Sequence, residues 1–400
     1  MMSFDELYAR TYQFFFKLAI PFLPYRQPEQ LKNGKELLGL LNNKRIHSIL
    51  IVTDEGIVKA GIYEKISKTL IDGGIKVVCY DQTIPNPTIA NVLAACKLYQ
   101  NNGCEAIIGL GGGSSVDCAK AVGAKIVRPN KAIQKMKGVL KILKPLPLLI
   151  AIPTTAGTGS ETTLAAVITD EKTHFKYPIN DFVLIPHYAL LDPELTLTMP
   201  KHITSTTGMD ALTHAVEAYI GQSTTAITRS QALKATELIY ENIKIAYNEP
   251  DNIVTRENML TAAYLAGCAF TVSYVGYIHA IAHSLGGKYQ IPHGLANAVI
   301  MPYVLKGYGE CIYPQLKDLA IAAKVANKDD SAKDAALKFI SSIEELNAAM
   351  AIPQQLSGIN EDDIKDLALN AAKEANPLYP VPRFMKAQEL EKFYREVMEK

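Results

Sequence analysis

The sequence predicts two different domains, an α/β domain built on a parallel sheet and an all-helical domain. In the first half of the chain, short runs rich in Val and Ile alternate with segments of helical period. Beyond Pro200, apolar residues recur at intervals of three and four, and β-branched runs largely vanish. A length of 400 residues also exceeds what one hydrophobic core usually organises. Because the segment 191–200 carries two prolines, we expect the domains to span 1–195 and 196–400.

The charge balance excludes several classes of partner. Lysine and arginine together number 41 against 40 aspartates and glutamates, which gives a net charge of +1. Such a chain has no basic surface of the kind that holds nucleic acid or anionic lipid. We therefore expect no nucleic-acid partner and no membrane partner.

The cysteines form neither a disulfide framework nor a thiolate metal site. They are spread along the chain without a C-x-x-C pair, at positions 79, 96, 104, 118, 268 and 311. This pattern is typical of a reducing compartment, so we expect a cytoplasmic protein.

The N-terminal region does not read as a targeting signal. Asp5 and Glu6 precede the apolar run 14–23, which is interrupted by a lysine and a proline. The aromatic-rich opening, 12–25, lacks the cationic face of a helix that lies on a membrane surface. We interpret it as a contact surface in a homodimer or a higher homo-oligomer.

Four strands are expected to form the parallel sheet of the first domain, with both faces of the sheet covered by helices. They are apolar runs separated by helical segments, at 48–53, 76–80, 106–110 and 148–152. Parallel strands joined by right-handed crossovers bind ligands beyond their carboxyl ends. The loops that follow these strands are therefore candidate binding loops.

Three successive glycines, Gly111, Gly112 and Gly113, follow the third predicted strand. Ser114 could cap the helix that comes next, with Asp117 in the capping-box position. Residues without a Cβ let backbone N–H groups approach an oxyanion, and a helix N-terminus adds partial positive charge. The loop therefore suits a diphosphate, although it lacks the third glycine of the Rossmann fingerprint. A tight turn without a ligand is the alternative.

Polar residues at two further strand ends suit the rest of a dinucleotide. Asp54 ends the first predicted strand, where a carboxylate accepts hydrogen bonds from a ribose and repels a 2′-phosphate, which favours NAD over NADP. A plain turn aspartate is the alternative. The loop 151–161 follows the fourth strand with four hydroxyl side chains, Thr154, Thr155, Thr158 and Ser160. Lys176 could add a charge to the same ligand.

The helical half holds the candidate metal ligands. Asp210 and His214 stand one helical turn apart, and His279 and His283 show the same spacing ahead of His293. A carboxylate with several imidazoles suits Zn²⁺ or Fe²⁺ and poorly suits Ca²⁺ or Mg²⁺. Any one of these histidines alone would more often be a core or capping residue, and the spacing does not separate His279 from His283.

Four stretches resemble the iron-containing (group III) alcohol dehydrogenase family along nearly the whole chain. They read GGGSSVDCAK, IPTTAGTGSE, GMDALTHAVEAY and HAIAHSLGGKYQIPHGLANAV, in the family's order. Within the family, the chain is similar to the branch of lactaldehyde reductases, 1,3-propanediol dehydrogenases and butanol dehydrogenases. The resemblance implies an N-terminal nucleotide-binding domain, a C-terminal helical metal-binding domain, and NAD-dependent oxidation of short primary alcohols or diols, or reduction of their aldehydes.

The resemblance also assigns roles to individual residues. It places the metal ligands at Asp210, His214, His279 and His293, with iron as the ion and zinc as the alternative. It leaves His283 beside the site, where we expect it to relay a proton between the substrate oxygen and water. It places the pyrophosphate on the loop Gly112, Gly113 and Ser114, with Asp117 nearby and Asp54 at the ribose. Further positions carried over are the cofactor contacts Asn86, Thr154, Thr155, Thr158 and Lys176 and the substrate-pocket residue Phe270.

Four other functions use some of the same residues. A glycerol dehydrogenase or a dehydroquinate synthase-like lyase would keep the fold and change the chemistry. A zinc hydrolase would use His279 and His283 as ligands, but position 280 is Ala where H-E-x-x-H requires Glu. A non-catalytic metal-binding protein would leave the glycine loop without a purpose.

Overall fold

The computed structural model describes residues 4–172 and 175–399. Contacts divide the chain into two compact units, one spanning Pro24–Met199 and the other formed by the segment up to Leu23 together with the segment from Pro200 onward. The division therefore falls a few residues after the predicted boundary of 195. The N-terminal segment, which the prediction placed in the α/β domain, belongs instead to the helical unit.

The α/β unit is built on a parallel sheet, and the predicted fold class is confirmed. Within the described residues the sheet has the strand order β1-β9-β6-β4-β2-β3, with every neighbouring pair parallel. The strands that make this sheet are β1 (Glu29–Leu31), β2 (Ser48–Val52), β3 (Lys76–Tyr80), β4 (Ala106–Gly111), β6 (Leu148–Pro153) and β9 (Tyr188–Leu190).

Helices cover both faces of this sheet. The side chains of β2 alternate between two hydrophobic clusters, because Ile49 and Ile51 pack on one face and Leu50 and Val52 on the other. A strand buried on both faces needs an unbroken apolar run, which is the pattern that the sequence shows. The covering helices are α2 (Gly34–Asn43), α3 (Glu55–Lys59), α4 (Ile62–Asp72), α5 (Ile89–Asn101) and α6 (Gly113–Val127).

The strand order places a topological switch point between β2 and β4. The chain passes from β2 to β3 on one side and then returns to place β4 on the other side of β2. Open α/β sheets bind their ligands in the crevice that such a reversal leaves at the carboxyl ends of the strands. Asp54, two residues after β2, and Gly111, the last residue of β4, lie at this point.

A second sheet and three very short strands were not predicted. The order of the second sheet is β5-β8-β7, formed by β5 (Gly138–Val139), β7 (Ala165–Asp170) and β8 (Phe175–Asn180). Strands of two or three residues, such as β1, β5 and β9, are too short to show a period. Because β1 precedes the others, the glycine loop follows the fourth strand of the chain and not the third.

The second unit is helical, as predicted. Its α7, α8 and α9 pack against one another, and every residue of α7 from Gly208 to Ile220 is buried. Polar side chains on that stretch therefore need partners. The helices are α1 (Phe4–Ala19), α7 (Lys201–Ile220), α8 (Ala226–Asn248), α9 (Ile253–Ser273), α10 (Tyr277–Tyr289), α11 (His293–Tyr308), α12 (Tyr313–Ala322), α13 (Ala332–Ala349), α14 (Ile364–Ala375) and α15 (Ala387–Val397).

Short 3₁₀ segments complete the described secondary structure. They lie at Ile20–Phe22, Ile133–Met136, Ser160–Thr162, Phe182–Leu184, Pro193–Thr196, Gly309–Ile312 and Glu361–Asp363. Over the described ranges, no single helix has the length and apolarity needed to cross a membrane. One bent pair, α9 with α10, meets that test by length and composition only, with 100° between its two helices.

Candidate active site

Three elements of the helical unit bring the predicted metal ligands together. Asp210 and His214 lie on α7 and are almost fully buried, at 2% and 4% exposure. His279 lies in the first turn of α10, and His293 is the first residue of α11. The turn between these two helices runs through Gln290, in the left-handed conformation, to Pro292. Gly286 and Gly287, which precede this turn in the sequence, lie inside α10.

A close approach of α11 to α7 sets the position of His293. A Cβ added to Gly294 would lie 2.4 Å from the carbonyl oxygen of Thr206, so only glycine allows this approach. The result places Nε2 of His293 3.5 Å from Oδ1 of Asp210. The same oxygen accepts a 2.7 Å hydrogen bond from Nδ2 of Asn297 on α11.

One ligand atom from each of Asp210, His279 and His293 lies within 4.8 Å of the other two. Nε2 of His279 is 3.8 Å from Oδ1 of Asp210, too long for a hydrogen bond. This nitrogen is buried, and no partner reaches it from anywhere in the described chain. Ligands held at about 2.1 Å from one tetrahedral ion lie roughly 3.4 Å apart. The residues therefore fit a divalent ion.

Burial favours the neutral form of His279 that a metal requires. The pKa of His279 lies well below its usual value because of burial and of the neighbouring imidazoles of His214, His293 and His283. A neutral ring with a proton on Nδ1 presents the lone pair of Nε2.

Glu217 fixes that tautomer. Its Oε2 lies 2.6 Å from Nδ1 of His279, and its carboxylate accepts 2.8 Å hydrogen bonds from the backbone N–H groups of Gly276 and Ile278. It thereby caps the N-terminus of α10 from the neighbouring α7. Although burial raises the pKa of Glu217 to about 7, these hydrogen bonds act against that rise. A metal-ligating histidine commonly donates its second N–H to such a carboxylate.

His214, the remaining predicted ligand, stacks between two rings. Its ring centroid lies 4.5 Å from that of His279 and 4.1 Å from that of Phe270. The structure thus places Phe270, the predicted pocket residue, directly against the ligand cluster. The assignment of His214 as a fourth ligand stays a prediction.

His283, the predicted proton relay, lies beside the cluster, and its side chain is 41% exposed. Its ring stacks on that of His293 with centroids 5.0 Å apart. Its Nδ1 lies 2.6 Å from Oε1 of Glu374, and the same oxygen accepts a 2.7 Å hydrogen bond from the hydroxyl of Tyr379. Burial would raise the pKa of Glu374, but His283 and these hydrogen bonds outweigh it, so the pKa lies below its usual value. His283 is thus part of a hydrogen-bonded chain that leads away from the ligands.

In the α/β unit, the glycine loop lies at the switch point. Gly111 has φ +142°, and a Cβ there would lie 2.7 Å from Oγ of Ser115 and 3.2 Å from Oδ2 of Asp54. The cap of the following helix differs from the prediction: α6 begins at Gly113 with Gly112 as its N-cap, so Ser114 lies inside the helix. Its first N–H groups are therefore not occupied by a serine cap.

The other predicted cofactor residues surround this loop. Oδ2 of Asp54 accepts a 3.1 Å hydrogen bond from Ser115, which ties the ends of β2 and β4 together. The backbone N–H of Asn86 donates to Oγ of Ser114 over 3.4 Å, and the ammonium of Lys176 donates to Oδ1 of Asn86 over 2.7 Å. The threonines close the remaining side: the N–H of Thr154 donates to the carbonyl of Gly111, and the side chains of Thr155 and Thr158 face Gly112 and Gly113.

Asp117 does not act in a capping box. Its carboxylate accepts hydrogen bonds from Oγ of Ser160 (2.6 Å) and the N–H of Val167 (3.0 Å), and so holds the second loop against α6. Lys120, fully buried one turn later, donates to Ser160, to Thr163 and to the carbonyl of Ala165. Burial lowers the pKa of Lys120 to about 8. These two residues fix the position of the threonine loop.

Comparisons with known proteins match both the α/β unit and the helical unit. The profile described as iron-containing alcohol dehydrogenase matches residues 28–193, and the C-terminal profile of the Fe-containing alcohol dehydrogenase family matches residues 204–398. A 1,3-propanediol dehydrogenase from Citrobacter freundii is 37% identical over 387 residues, which cover 95% of this chain and 98% of the relative. The chain belongs to the iron-containing alcohol dehydrogenase family.

Solved structures show the same fold. A crystal structure of a 1,3-propanediol oxidoreductase superposes with a TM-score of 0.89 at 34% identity, covering 93% of this chain and 98% of that one. A sulfoacetaldehyde reductase from Bifidobacterium kashiwanohense, solved in complex with NAD⁺, superposes with a TM-score of 0.83 at 28% identity, with the same coverage. This iron-containing alcohol dehydrogenase is therefore an NAD-dependent oxidoreductase, and the lyase and hydrolase alternatives are not favoured.

Sequence reasoning missed four residues that organise the site of this alcohol dehydrogenase. Glu217 could have been found, because it stands seven residues after Asp210 and so shares its helical face. Asn297 stands one turn after His293 in the same way. Glu374 lies 91 residues from His283, and no local pattern links the two. Lys120 resembles a surface lysine until its helix is known to be buried.

Proposed function

We propose that this alcohol dehydrogenase oxidises short primary alcohols or diols, and reduces the corresponding aldehydes, with Fe²⁺ held by Asp210, His214, His279 and His293. The observation that carries the proposal is the buried Nε2 of His279, which lies 3.8 Å from Oδ1 of Asp210 and has no hydrogen-bond partner in the described chain. The same donor set suits Zn²⁺ by its chemistry. The name of the relative from Citrobacter freundii, 1,3-propanediol dehydrogenase, supports the substrate class.

The residues of each unit supply one part of the reaction. An ion bound at the histidine cluster supplies Lewis-acid stabilisation of negative charge on the substrate oxygen. His283 exchanges the proton of that oxygen with water, because its ring is exposed and its Nδ1 is held by Glu374. The glycine loop and the N-terminus of α6 bind the pyrophosphate of NAD. Asp54 selects NAD over NADP, since its carboxylate at the end of β2 would repel a 2′-phosphate.

We further propose that the protein is a cytoplasmic homo-oligomer. The six cysteines are free thiols in the structure, which suits a reducing compartment. Large apolar side chains are exposed on α1, which suits contact with a second copy.

A substrate panel on metal-defined enzyme tests the proposed reaction. The protein is stripped with a chelator, loaded anaerobically with Fe²⁺ or Zn²⁺, and mixed with NAD⁺ or NADP⁺ and one of ethanol, butanol, 1,2-propanediol, 1,3-propanediol or glycerol. We expect NADH to form from the short primary alcohols or diols with the Fe²⁺-loaded enzyme. The proposal would be contradicted by activity with glycerol alone, by activity of the Zn²⁺-loaded enzyme alone, or by undiminished activity of the stripped protein. A tenfold preference for NADP⁺, about 1.4 kcal/mol, would contradict the role of Asp54.

A further inference from the structure

Within the described part of the chain, the N-terminal helix α1 packs one side against the rest of the helical unit and leaves an apolar side exposed. Ala9 and Gln13 are buried against the helical unit. Arg10 donates to the carbonyls of Val381 and Pro382, and Gln13 donates to that of Tyr379. These hydrogen bonds fix the rotation of α1 about its own axis, so the other face has a defined direction.

The second face is exposed, apolar and uncharged. Its large side chains are between 39% and 87% exposed; they are Phe4, Leu7, Tyr8, Tyr12, Phe14, Phe15 and Leu18 of the helix, and Phe22 of the short 3₁₀ turn that follows. At 3.6 residues per turn, the helical members lie within an arc of roughly 160°. We call these eight residues the α1 apolar face. Thr11, the polar residue in that arc, satisfies its hydroxyl by donating to the carbonyl of Leu7.

We infer that the α1 apolar face pairs with the same face of a second copy of this chain, as two antiparallel helices about a twofold axis. The six aromatic side chains alone expose on the order of 800 Å², at about 200 Å² for each full side chain. A standard protein interface takes roughly this area from each partner, whereas a monomer seldom leaves so large an apolar patch uncovered. An uncharged face complements itself, which an isologous contact requires.

The shape and charge of α1 favour this partner over a lipid surface. A shallow pocket lined by Tyr8, Tyr12, Phe15 and Phe16 opens on the helix and can receive a side chain from a facing helix. Helices that lie on membranes carry a cationic rim. The charged residues of α1 are instead balanced, with Asp5 and Glu6 in the first turn and Lys17 in the last, and Arg10 is held by backbone carbonyls. α1 also lies outside both segments matched by the family profiles.

Two variants of the full chain test the contact in solution. In sedimentation velocity, we expect Phe15→Glu to halve the mass of the wild-type assembly, since it places a charge at the centre of the face. Lys17→Glu introduces the same side chain on the opposite side of the helix and should leave the mass unchanged. Circular dichroism checks that both variants fold. An unchanged mass for Phe15→Glu would overturn the inference.

A cysteine at the helix centre tests the antiparallel geometry. In an antiparallel pair, Thr11 of one copy lies close to Thr11 of the other. In a Cys311→Ser background, which removes the exposed native thiol, Thr11→Cys should form a disulfide-linked dimer under mild oxidation, and Asp5→Cys should not. No cross-link, or a wild-type monomer that floats with phosphatidylcholine or phosphatidylserine vesicles, would overturn the pairing.

The inference specifies the surface of the proposed homo-oligomer but does not depend on the proposed reaction. A wild-type monomer would remove the oligomer and this contact together, and would leave NADH formation to be judged separately. An inactive protein whose mass is halved by Phe15→Glu would retain the contact and contradict only the reaction.

Discussion

Replacing Glu217 with glutamine tests how the ion site is held in place. The carboxylate is 3% exposed and accepts from Nδ1 of His279 and from two backbone N–H groups of α10. The glutamine side chain would keep one acceptor oxygen and turn an NH₂ group toward a donor, which leaves one hydrogen bond unmade in a buried place. Changes of this kind next to a ligating histidine reduce metal affinity about 10- to 100-fold, or about 1.4 to 2.8 kcal/mol.

The assay is an anaerobic competition between the enzyme and a chromophoric chelator for Fe²⁺ and for Zn²⁺. Glu161→Gln is the matched control, because Glu161 is also 3% exposed but lies in the α/β unit, away from the ligands. We expect Glu217→Gln to lose at least tenfold in affinity and Glu161→Gln to lose less than threefold. The rise in melting temperature on adding metal should shrink in Glu217→Gln alone. If Glu217→Gln lowered the melting temperature of the metal-free protein and left metal affinity unchanged, the carboxylate would only cap α10.

Three further predictions concern the nucleotide loop, a buried carboxyl and the proton relay. Gly111→Ala should weaken NAD⁺ binding at least tenfold, because the residue has φ +142° and an added Cβ would lie 2.7 Å from Oγ of Ser115. Isothermal titration calorimetry measures the affinity for NAD⁺. Gly39→Ala is the control, because a Cβ added at Gly39 meets no atom within 4 Å. Burial raises the pKa of Glu161 from 4.5 to about 7. Between these pH values the carboxyl is protonated in the folded state and ionised in the unfolded state, so the free energy of unfolding declines as the pH rises from 4.5 to about 7. Circular dichroism of metal-free wild type and Glu161→Gln, which lacks this decline, should show the difference. His283→Ala should reduce turnover about 100-fold and flatten its pH profile.

Each of these predictions has an outcome that contradicts it. Equal NAD⁺ affinity in Gly111→Ala and Gly39→Ala would mean that the loop does not hold the pyrophosphate. The pKa shift of Glu161 is worth a few kcal/mol, at about 1.4 kcal/mol for each pKa unit. The free energy of unfolding of wild type should fall relative to that of Glu161→Gln as the pH rises. If the difference between the two proteins stayed constant, or changed in favour of wild type, the raised pKa of Glu161 would be contradicted. Unchanged turnover and pH profile in His283→Ala would remove the relay.

Short sequence patterns predicted the longer strands of the parallel sheet and the helical spacing of the candidate ligands. The central strands β2, β4 and β6 were recognisable because burial on both faces requires continuous apolar runs. The partly buried edge strand β3 was recognisable from the short β-branched run that it carries. Helical spacing likewise indicated Asp210 with His214, and His279 with His283. The short strands and the second sheet were not predicted, because their pairing depends on contacts between residues far apart in the sequence. For example, β1 pairs with β9, which follows it by more than half of the length of the α/β unit.

Features that depend on contacts between distant parts of the sequence could not be predicted from it. α1 belongs to the helical unit because Arg10 reaches the carbonyls of Val381 and Pro382, about 370 residues away. Ser114 resembled a helix cap, but Gly112, two residues earlier, takes the N-cap position. His279 could be separated from His283 only by family resemblance. The structure adds a physical difference, since the carboxylate partner of His279 is buried and that of His283 is half exposed.

The most direct test of the ion-dependent reaction is an anaerobic Fe²⁺ titration that records bound metal and NADH formation from 1,3-propanediol together. The chelator-stripped wild type should bind one Fe²⁺ per chain, and activity should rise in proportion to the metal bound. His279→Ala should lose both, while His202→Ala, which removes an exposed histidine from α7, should lose neither. Full activity before any metal is added, or one tightly bound Fe²⁺ in His279→Ala, would contradict the proposed site.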